Sequence, residues 1–263
     1  MTDVSPVFFL STTTHMYGAH AYTFEDGIGV LTKRLAQNLD VAYRVDVKNV
    51  SRTVSGGSEV SYELKGAFHS MVADLVICAV PGSLASGIVS EPTPEESQLF
   101  GAVKYSSGQT LHFGVERSIE PYVRFFSPEV NASIAAVEVV DQSRTSSSYL
   151  SRLSIHLSPE TLVKQKTHPA LPGELSGLWN DLPDDVARHL DLGYEQVVNQ
   201  NIENMLPVFY PGYLKELSAF ETYQTSGKKQ IYYAGDYMSH ALVGGACRSG
   251  EDIAQSIISG WLA

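Results

Sequence analysis

The sequence has few cysteines and no long apolar run, and each shortage narrows the class of protein. Only Cys78 and Cys247 occur among 263 residues, so we expect no disulfide framework and a reducing compartment. No stretch approaches the roughly 18 consecutive apolar residues of a membrane span. No basic segment with an apolar run opens the chain, as it would in a secretory signal. We therefore expect a cytoplasmic protein with no membrane span.

Positive charge is also scarce, because 18 Lys and Arg residues stand against 29 Asp and Glu residues, for a formal net charge of -11. Nucleic-acid phosphates need clustered basic side chains, so we expect no nucleic-acid partner. The eight histidines show no metal-ligand spacing, and we expect no metal site. Neither a Gly-x-Ser-x-Gly elbow nor a phosphate loop occurs, which leaves hydrolase and NTPase functions unsupported.

The most informative stretch lies near the end of the chain and predicts a strand, a turn and a helix. Ile231–Tyr233 is β-branched and aromatic, as is typical of a strand. A turn of small residues with one carboxylate follows, Ala234-Gly235-Asp236, and Gly244 and Gly245 open the helix. Helical spacing predicts one apolar face for this helix, made of Ala246, Gly250, Ile253, Ala254, Ile257, Ile258 and Trp261.

These residue types favour a nucleotide-type cofactor. Glycines let backbone amides approach a ligand without a Cβ in the way, and the first amides of a helix favour negative charge. The Asp236 carboxylate does not suit a phosphate, but it accepts hydrogen bonds from sugar hydroxyls. We therefore predict a cofactor with a polyol segment. The alternative is a helix packed on a strand, with glycines that serve only close approach.

The motif Ala234-Gly235-Asp236-Tyr237, followed by Gly244-Gly245-Ala246, resembles the C-terminal flavin-binding signature of FAD-dependent amine oxidases and phytoene-desaturase-type flavoproteins. The resemblance implies FAD as the cofactor, with Asp236 bound to its ribityl chain or pyrophosphate end. It implies that the amides of Gly244 to Ala246 face the flavin edge that becomes negative on reduction. It also implies that Val47 lies beside the adenine. The cofactor-binding residues predicted in this way are Val47, Pro81, Gly235, Asp236, Val243, Gly244, Gly245 and Ala246.

The rest of the chain predicts a cofactor domain interrupted by a substrate domain. Residues 1–22 are predicted to be a strand segment of the substrate domain, with the strand at 7–14. Residues 23–91 are predicted to be part of the FAD domain, with a helix, a glycine-linked hairpin and a buried strand at 73–81. Residues 92–226 are predicted to form the substrate domain, and residues 227–263 the C-terminal FAD-binding segment. Strands of the substrate domain are expected at 103–115, 123–126, 134–140, 149–157 and 197–208.

The predicted fold class is therefore α/β. It consists of a partial FAD-binding, Rossmann-like domain with an inserted α+β substrate domain built on an antiparallel sheet. The glycine turn that holds the FAD pyrophosphate in this family, Gly-x-Gly-x-x-Gly, does not occur in the sequence. The resemblance thus covers only the C-terminal portion of a full-length member.

Because the pyrophosphate charge needs that turn, we expect a partner. It would be a complementary chain that carries the N-terminal dinucleotide-binding motif, in a hetero-oligomer. The start at Met1 favours a natural short chain, and a fragment of a longer protein is the alternative.

The resemblance leaves the catalytic residues unassigned, with three candidates. Gln109 corresponds to a lysine near the flavin N5 in the family, and this replacement argues against fast reaction with oxygen. Tyr210 is a candidate for one ring of the aromatic pair that flanks an amine, whereas Leu242 stands where the other ring is expected. His240 lies between the Asp236 carboxylate and the glycines.

The predicted function is a subunit of an FAD-dependent oxidoreductase, of amine oxidase or desaturase type. It would oxidise a small organic substrate by hydride transfer to the flavin. Two alternatives are open at this point. One is a non-catalytic structural or regulatory subunit of a flavoenzyme complex, and the other is a non-redox flavin-dependent isomerase.

Overall fold

The computed structural model describes residues 4–16, 24, 27–142, 148–158, 161, 182–191 and 195–261. Its helices are α1 (Pro6–Met16), α2 (Gly29–Ala36), α3 (Gly82–Ile88), α4 (Pro94–Ala102), α5 (Asp184–Asp191), α6 (Tyr213–Thr225) and α7 (Val243–Trp261). Its strands are β1 (Val45–Arg52), β2 (Ser58–Leu64), β3 (Ala67–Ala73), β4 (Val76–Cys78), β5 (Gly108–Val115), β6 (Tyr122–Phe125), β7 (Ile134–Asp141), β8 (Ser151–Leu157), β9 (Glu195–Ile202) and β10 (Ile231–Tyr233).

Contacts divide the chain into two compact units. The first unit comprises Met1–Ala21, Leu35–Ser106 and Leu206–Ala263, and the second comprises Tyr22–Arg34 and Ser107–Met205. A mixed α/β fold with antiparallel sheets is therefore confirmed. The predicted assignment of residue ranges to cofactor and substrate domains stays a prediction.

The first unit contains an antiparallel three-stranded sheet in the order β1-β2-β3. The turn from β1 to β2 requires glycine, because Gly57 has φ +90° and an added Cβ would lie 2.5 Å from the Ala73 carbonyl oxygen. The predicted hairpin is thus confirmed. The third strand, β3, was not predicted; most of its residues are exposed, so its sequence carries no alternation of apolar and polar residues.

The first unit also contains a two-stranded parallel sheet of β4 and β10, with Ile231, Tyr232 and Tyr233 opposite Val76, Ile77 and Cys78. The strand predicted at 73–81 is therefore shorter than expected. It is also less buried, because 46% of Ile77 is exposed. A continuous apolar run is typical of a strand covered on both faces, and the described residues cover this one only in part.

Aromatic side chains dominate the core of the first unit. Phe209, Tyr213, Tyr233 and Tyr237 are fully buried there, and the Phe209 and Tyr213 rings meet edge to face at 5.2 Å. The strand predicted at 7–14 is wrong, since this segment is α1, which begins at a proline that suits the first helical turn. Phe8 on α1 stacks on Phe209 with 4.2 Å between ring centroids.

The second unit is a five-stranded antiparallel sheet in the order β6-β7-β8-β5-β9. The predicted strands at 103–115, 123–126, 134–140, 149–157 and 197–208 correspond to β5 to β9, with ends that differ by several residues. One face of the sheet is apolar, and Leu182 and Val186 at α5 are buried in its core with Leu111, Phe113 and Ile155.

Among the described residues, no helix combines the length with the apolar character that a bilayer crossing requires.

Candidate functional site

The carboxyl ends of β4 and β10 lie side by side in the first unit, and each leads into a turn. The Ala234 amide donates to the Cys78 carbonyl at 3.2 Å, which holds the two strand ends together. Pro81 begins α3 after β4, while Gly235 and Asp236 follow β10. Ligands of open parallel sheets bind outside this edge, so these turns form the candidate site.

The turn after β10 is fixed from two helices. The Gly235 amide donates to Ser249 Oγ on α7 at 3.1 Å, and the Tyr213 hydroxyl on α6 donates to the Tyr237 carbonyl at 2.9 Å. Residue 235 must be glycine, because an added Cβ would lie 2.7 Å from the Tyr237 ring. The position of the Asp236 backbone is therefore set by packing on both sides.

The Asp236 side chain is partly exposed at this turn. Burial raises the pKa of Asp236 above its ordinary value of 3.8, although hydrogen bonds from the Tyr237 and Asp236 amides act in the opposite direction. A partly exposed carboxylate that accepts backbone hydrogen bonds still has lone pairs for further donors. The arrangement suits hydroxyl groups.

The two glycines at the start of α7 differ in the space around them. An added Cβ on Gly245 would lie 2.1 Å from the His240 carbonyl oxygen, whereas one on exposed Gly244 would have nothing within 4 Å. The Gly245 and Ala246 amides donate to the Leu242 carbonyl at 2.9 and 3.1 Å. The first amides of a helix have no intrahelical acceptor, so Val243 and Gly244 carry the amides that remain for a ligand.

The described residues bury only part of the apolar face that helical spacing predicts for α7. Ile253 is buried against Tyr232 and Ala234, and Ile257 is partly buried there. The other described members of that face are exposed, namely Ala246, Gly250, Ala254 and Ile258. The described part of the chain thus covers one edge of the face and leaves the rest open.

The remaining predicted cofactor residues, Val47 and Pro81, also belong to the first unit. Val47 on β1 is partly buried against the core, and Pro81 is the residue before α3. A residue that the sequence did not single out, Tyr105, accepts a hydrogen bond from the Gly82 amide at 3.0 Å. Burial raises the pKa of Tyr105 to about 12. No sequence pattern marks a tyrosine that binds a turn 23 residues earlier.

The three catalytic candidates are placed in different surroundings. His240 lies near the site turn, with Nδ1 3.2 Å from Ser239 Oγ and its ring 5.9 Å from that of Phe8. The Tyr210 hydroxyl donates to the Ala102 carbonyl at 2.8 Å, so this oxygen already has a structural partner. Gln109 is on β5 in the second unit, opposite Asn201. Their catalytic roles stay predictions.

A cavity of about 330 Å³ lies between α6 and α7. Met238, Ser249 and the carboxylates of Glu221 and Asp252 are among its lining residues. Burial and the nearby Asp252 raise the pKa of Glu221. The lining residues include none of the predicted cofactor residues, but Ser249 also accepts the hydrogen bond from the Gly235 amide, so the cavity adjoins the candidate site.

The site residues fit one end of a flavin nucleotide. The Asp236 carboxylate offers acceptors for hydroxyl donors, and the first amides of α7 offer donors for an electron-rich edge. Gly244 leaves open space at that helix start. The sequence does not contain the glycine turn that a pyrophosphate group requires, so the fit covers the polyol and ring side only.

Several solved structures share this fold at low sequence identity. Cyclohexylamine oxidase from Brevibacterium oxydans IH-35A is 15% identical with a TM-score of 0.60, over 90% of this chain and 53% of that one. A redesigned putrescine oxidase is 18% identical with a TM-score of 0.58, over 89% and 53%. A CLA-producing fatty acid isomerase from P. acnes is 14% identical with a TM-score of 0.56, over 89% and 52%.

The chain therefore spans about half the length of these structures. No curated protein sequence matches it. The sequence model of one protein family, flavin-containing amine oxidoreductase, matches residues 4–258, which is nearly the whole chain. The chain belongs to the flavin-containing amine oxidoreductase family.

Proposed function

We propose that the chain is a subunit of an FAD-dependent oxidoreductase that oxidises a small organic substrate. The bound flavin would supply the hydride acceptor. The family match supports this proposal. The observation that carries it is that the Asp236 carboxylate and the exposed start of α7 both follow β10, at the end where it lies beside β4.

The chain's own residues would bind and orient the cofactor. Asp236 would accept hydrogen bonds from the ribityl hydroxyls, and the amides of Val243 and Gly244 would donate to the anionic edge of the ring. Because Ser249 and Tyr213 fix the turn from α7 and α6, these groups are held in place before the cofactor arrives. Such preorganisation lowers the ordering cost of binding.

The finer arrangement is also a proposal. The first unit would be part of a Rossmann-like FAD-binding domain, and the second unit would be the inserted substrate domain. The pyrophosphate-binding half would come from a complementary chain in a cytoplasmic hetero-oligomer. The proposal of a second contributor rests on the need of a pyrophosphate group for a glycine turn, because the 263 residues contain no Gly-x-Gly-x-x-Gly turn.

The test is purification of the tagged natural product from its own cells. We expect a complex of a 28.7 kDa chain with a second polypeptide and one FAD, whose absorption bleaches anaerobically with an amine from a panel that includes putrescine and cyclohexylamine. A stoichiometric FAD complex of the 263-residue chain alone would refute the need for a partner. A natural product of about twice this mass would show the two halves on one chain. A complex without flavin would refute the function.

A non-catalytic subunit is the second candidate, and Gln109 favours it because the family resemblance places a lysine there. Asp236→Asn separates the two. A catalytic subunit should lose retained FAD or turnover by at least tenfold, whereas a structural subunit should be indifferent. Asp252→Asn is the matched control, because Asp252 is exposed and paired with Arg248 at 2.9 Å.

A further inference from the structure

The cavity of about 330 Å³ between α6 and α7 is lined by one side of each helix. Its lining residues recur three or four positions apart, and residues at that spacing lie on the same side of a helix. Those on α6 are Ser218, Glu221, Thr222, Gln224 and Thr225, and those on α7 are Ser249, Asp252 and Ile253. Met238, in the turn after β10, also lines the cavity. The volume lies at the lower end of the range of small-molecule sites.

The lining divides into a buried floor and an exposed rim. The buried residues, which we call the floor, are Gln224, Met238, Ser249 and Ile253. The exposed residues, which we call the rim, are all polar, namely Ser218, Glu221, Thr222, Thr225 and Asp252. A ligand that enters the cavity would therefore meet polar groups first, and then both polar and apolar side chains on the floor.

The two polar residues of the floor have unused hydrogen-bond donors. Ser249 Oγ accepts from the Gly235 amide at 3.1 Å, and Gln224 Nε2 donates one of its two hydrogens to the Tyr233 carbonyl at 3.1 Å. Among the described residues, no acceptor bonds the Ser249 hydroxyl hydrogen or the second Gln224 amide hydrogen. Ser249 is 5% and Gln224 2% exposed, and a buried donor without an acceptor costs free energy. An oxygen atom of a ligand would supply the missing acceptor.

The rim carries negative charge that the described residues neutralise only in part. Asp252 pairs with Arg248 at 2.9 Å, whereas Glu221 has no ion-pair partner within the described ranges. The Glu221 residue is exposed, but partial burial of its carboxyl and the nearby Asp252 raise the pKa of Glu221. A raised pKa means that the surroundings disfavour the charged carboxylate. A cation beside Glu221 would reverse this effect.

A metal ion is a poorer match than an organic cation. The part of the chain that the structure describes holds no group of three or more His, Cys, Asp or Glu side chains that could bind a metal. The unused donors of Ser249 and Gln224 would repel a bare cation and need an acceptor. Met238 and Ile253 offer apolar contact between the floor donors and the rim. The lining thus favours a molecule with a positive charge, a short carbon chain and an oxygen atom.

We propose that this cavity binds a small organic cation that also carries a hydroxyl or carbonyl oxygen, such as an amino alcohol. The ammonium group lies beside Glu221, and the oxygen accepts hydrogen bonds from the Ser249 hydroxyl and the Gln224 amide. The inference does not rest on the proposed function, because no predicted cofactor residue lines the cavity. Since Ser249 also bonds the Gly235 amide, the ligand would contact a residue that fixes the Asp236 turn.

The experiment is nuclear magnetic resonance of the natural product with carbon-13 in its methionine methyl groups, without oxygen so that turnover does not consume the probes. The Met238 methyl reports on the cavity floor, and the exposed Met71 methyl on β3 is the control. The probes are ethanolamine, 3-aminopropanol and 4-aminobutanol, each compared with the alkylamine and the alcohol of the same chain length. We expect an amino alcohol to shift the Met238 signal to saturation and leave that of Met71 unchanged. The matched alkylamine and alcohol should bind at least fivefold more weakly.

Two variants test whether Glu221 holds the cation. Glu221→Gln keeps the shape of the side chain and removes its charge, so it should weaken amino alcohol binding at least tenfold. Glu251→Gln is the matched control, because Glu251 is an exposed carboxylate outside the lining, and it should change binding less than twofold. Circular dichroism should be unchanged in both variants, since both side chains are exposed. An amine bound elsewhere on the protein would be insensitive to Glu221→Gln.

Several results would overturn the proposal. A Met238 signal that no probe shifts would show a cavity that holds water only. Equal binding of the alkylamine would remove the role of the oxygen, and equal binding of the alcohol would remove the role of the cation. Equal effects of Glu221→Gln and Glu251→Gln would place the cation away from Glu221. A natural product without flavin would refute the proposed function but leave this binding in place, so the two proposals fail separately.

Discussion

The His240 carbonyl oxygen lies 2.1 Å, and the His240 amide nitrogen 2.6 Å, from where a Cβ would stand on Gly245. The backbone before α7 therefore passes against the first helical turn with no space for a side chain. Real Cβ atoms do not approach backbone atoms this closely, so an alanine at 245 would force the segment from His240 to Leu242 to move. Gly244, one residue earlier, has open space on that side.

Alanine at these two glycines should give opposite results. Gly245→Ala is expected to lower the free energy of unfolding by about 1 to 3 kcal/mol, as other overpacked positions do. Gly244→Ala should change it by no more than about 0.5 kcal/mol, because an exposed alanine suits a helix. Urea unfolding followed by circular dichroism measures both.

The same two alanine variants test whether Gly244 lies against the cofactor. A methyl group on Gly244 would enter the space proposed for the flavin edge, so Gly244→Ala should weaken FAD retention of the native complex without loss of stability. Equal stability losses in the two variants would show that the space at Gly244 is not real. Unchanged FAD retention in Gly244→Ala would remove that residue from the site.

Asp236 should show a trade between stability and cofactor binding. Because burial raises its pKa above 3.8, the folded chain holds the proton to a higher pH than the unfolded chain. The contribution of Asp236 to the free energy of unfolding is therefore greatest below pH 3.8, falls as the pH rises from there through the raised pKa, and stays lower at neutral pH. Asp236→Asn keeps an acceptor for the backbone amides and removes the charge.

The expected result for Asp236→Asn in the chain alone is a small rise in Tm at pH 7, of about 1 to 2 °C. The rise should shrink as the pH falls towards 3.8. Differential scanning calorimetry across this pH range measures it, with Asp252→Asn as the control. A lower Tm for Asp236→Asn at pH 7 would show that the charge stabilises the fold, contrary to the raised pKa.

The parts of the fold that were predictable have local patterns. Strand-like runs between polar turns predict β5 to β9 of the second unit with approximate ends. The helix α1 was missed because its threonines and phenylalanines have strand propensity, whereas its contact with Phe209, about 200 residues away in the sequence, decides the packing. Propensity is a weak guide where tertiary contacts dominate.

In the candidate site, too, residues with a local signal were predictable, whereas residues that act through distant contacts were not. Gly235, Asp236 and the glycines of α7 were recognisable because their residue types follow from the turn itself. The partners that fix the turn, Ser249 and Tyr213, were not, since nothing local marks a hydroxyl that bonds a distant backbone group. The apolar face of α7 follows from helical periodicity, but periodicity does not determine which residues of that face are covered.

Gln224 should be essential for the edge of β10. Its amide bonds both the amide and the carbonyl of Tyr233, and Gln224→Leu would leave both groups buried without partners. The expected loss in unfolding free energy is about 2 to 4 kcal/mol. Gln255→Leu on the exposed side of α7 should change it by no more than about 0.5 kcal/mol. Urea unfolding distinguishes them, and similar values for the two variants would contradict the role of Gln224.

The Arg52–Glu96 ion pair should be the main polar link between β1 and α4. Glu96 is 0% exposed, binds Arg52, and accepts from the Thr93 amide at 2.8 Å in a capping box. Glu96→Ala would leave the guanidinium of Arg52 and the Thr93 amide without this partner. We expect a loss of about 2 to 4 kcal/mol, less than for a fully buried pair because Arg52 is partly exposed.

Two further variants separate the effect of charge from the effect of packing at Glu96. Glu96→Gln keeps the shape and the bond from the Thr93 amide, so it should lose about half as much as Glu96→Ala. Glu95→Ala, one residue earlier on the same helix but exposed, should stay within about 0.5 kcal/mol of the unmodified chain. Thermal unfolding at low and at 1 M salt measures all three. Because a buried pair is screened less than an exposed one, the Glu96→Ala loss should persist in high salt, and its disappearance there would place the pair at the surface.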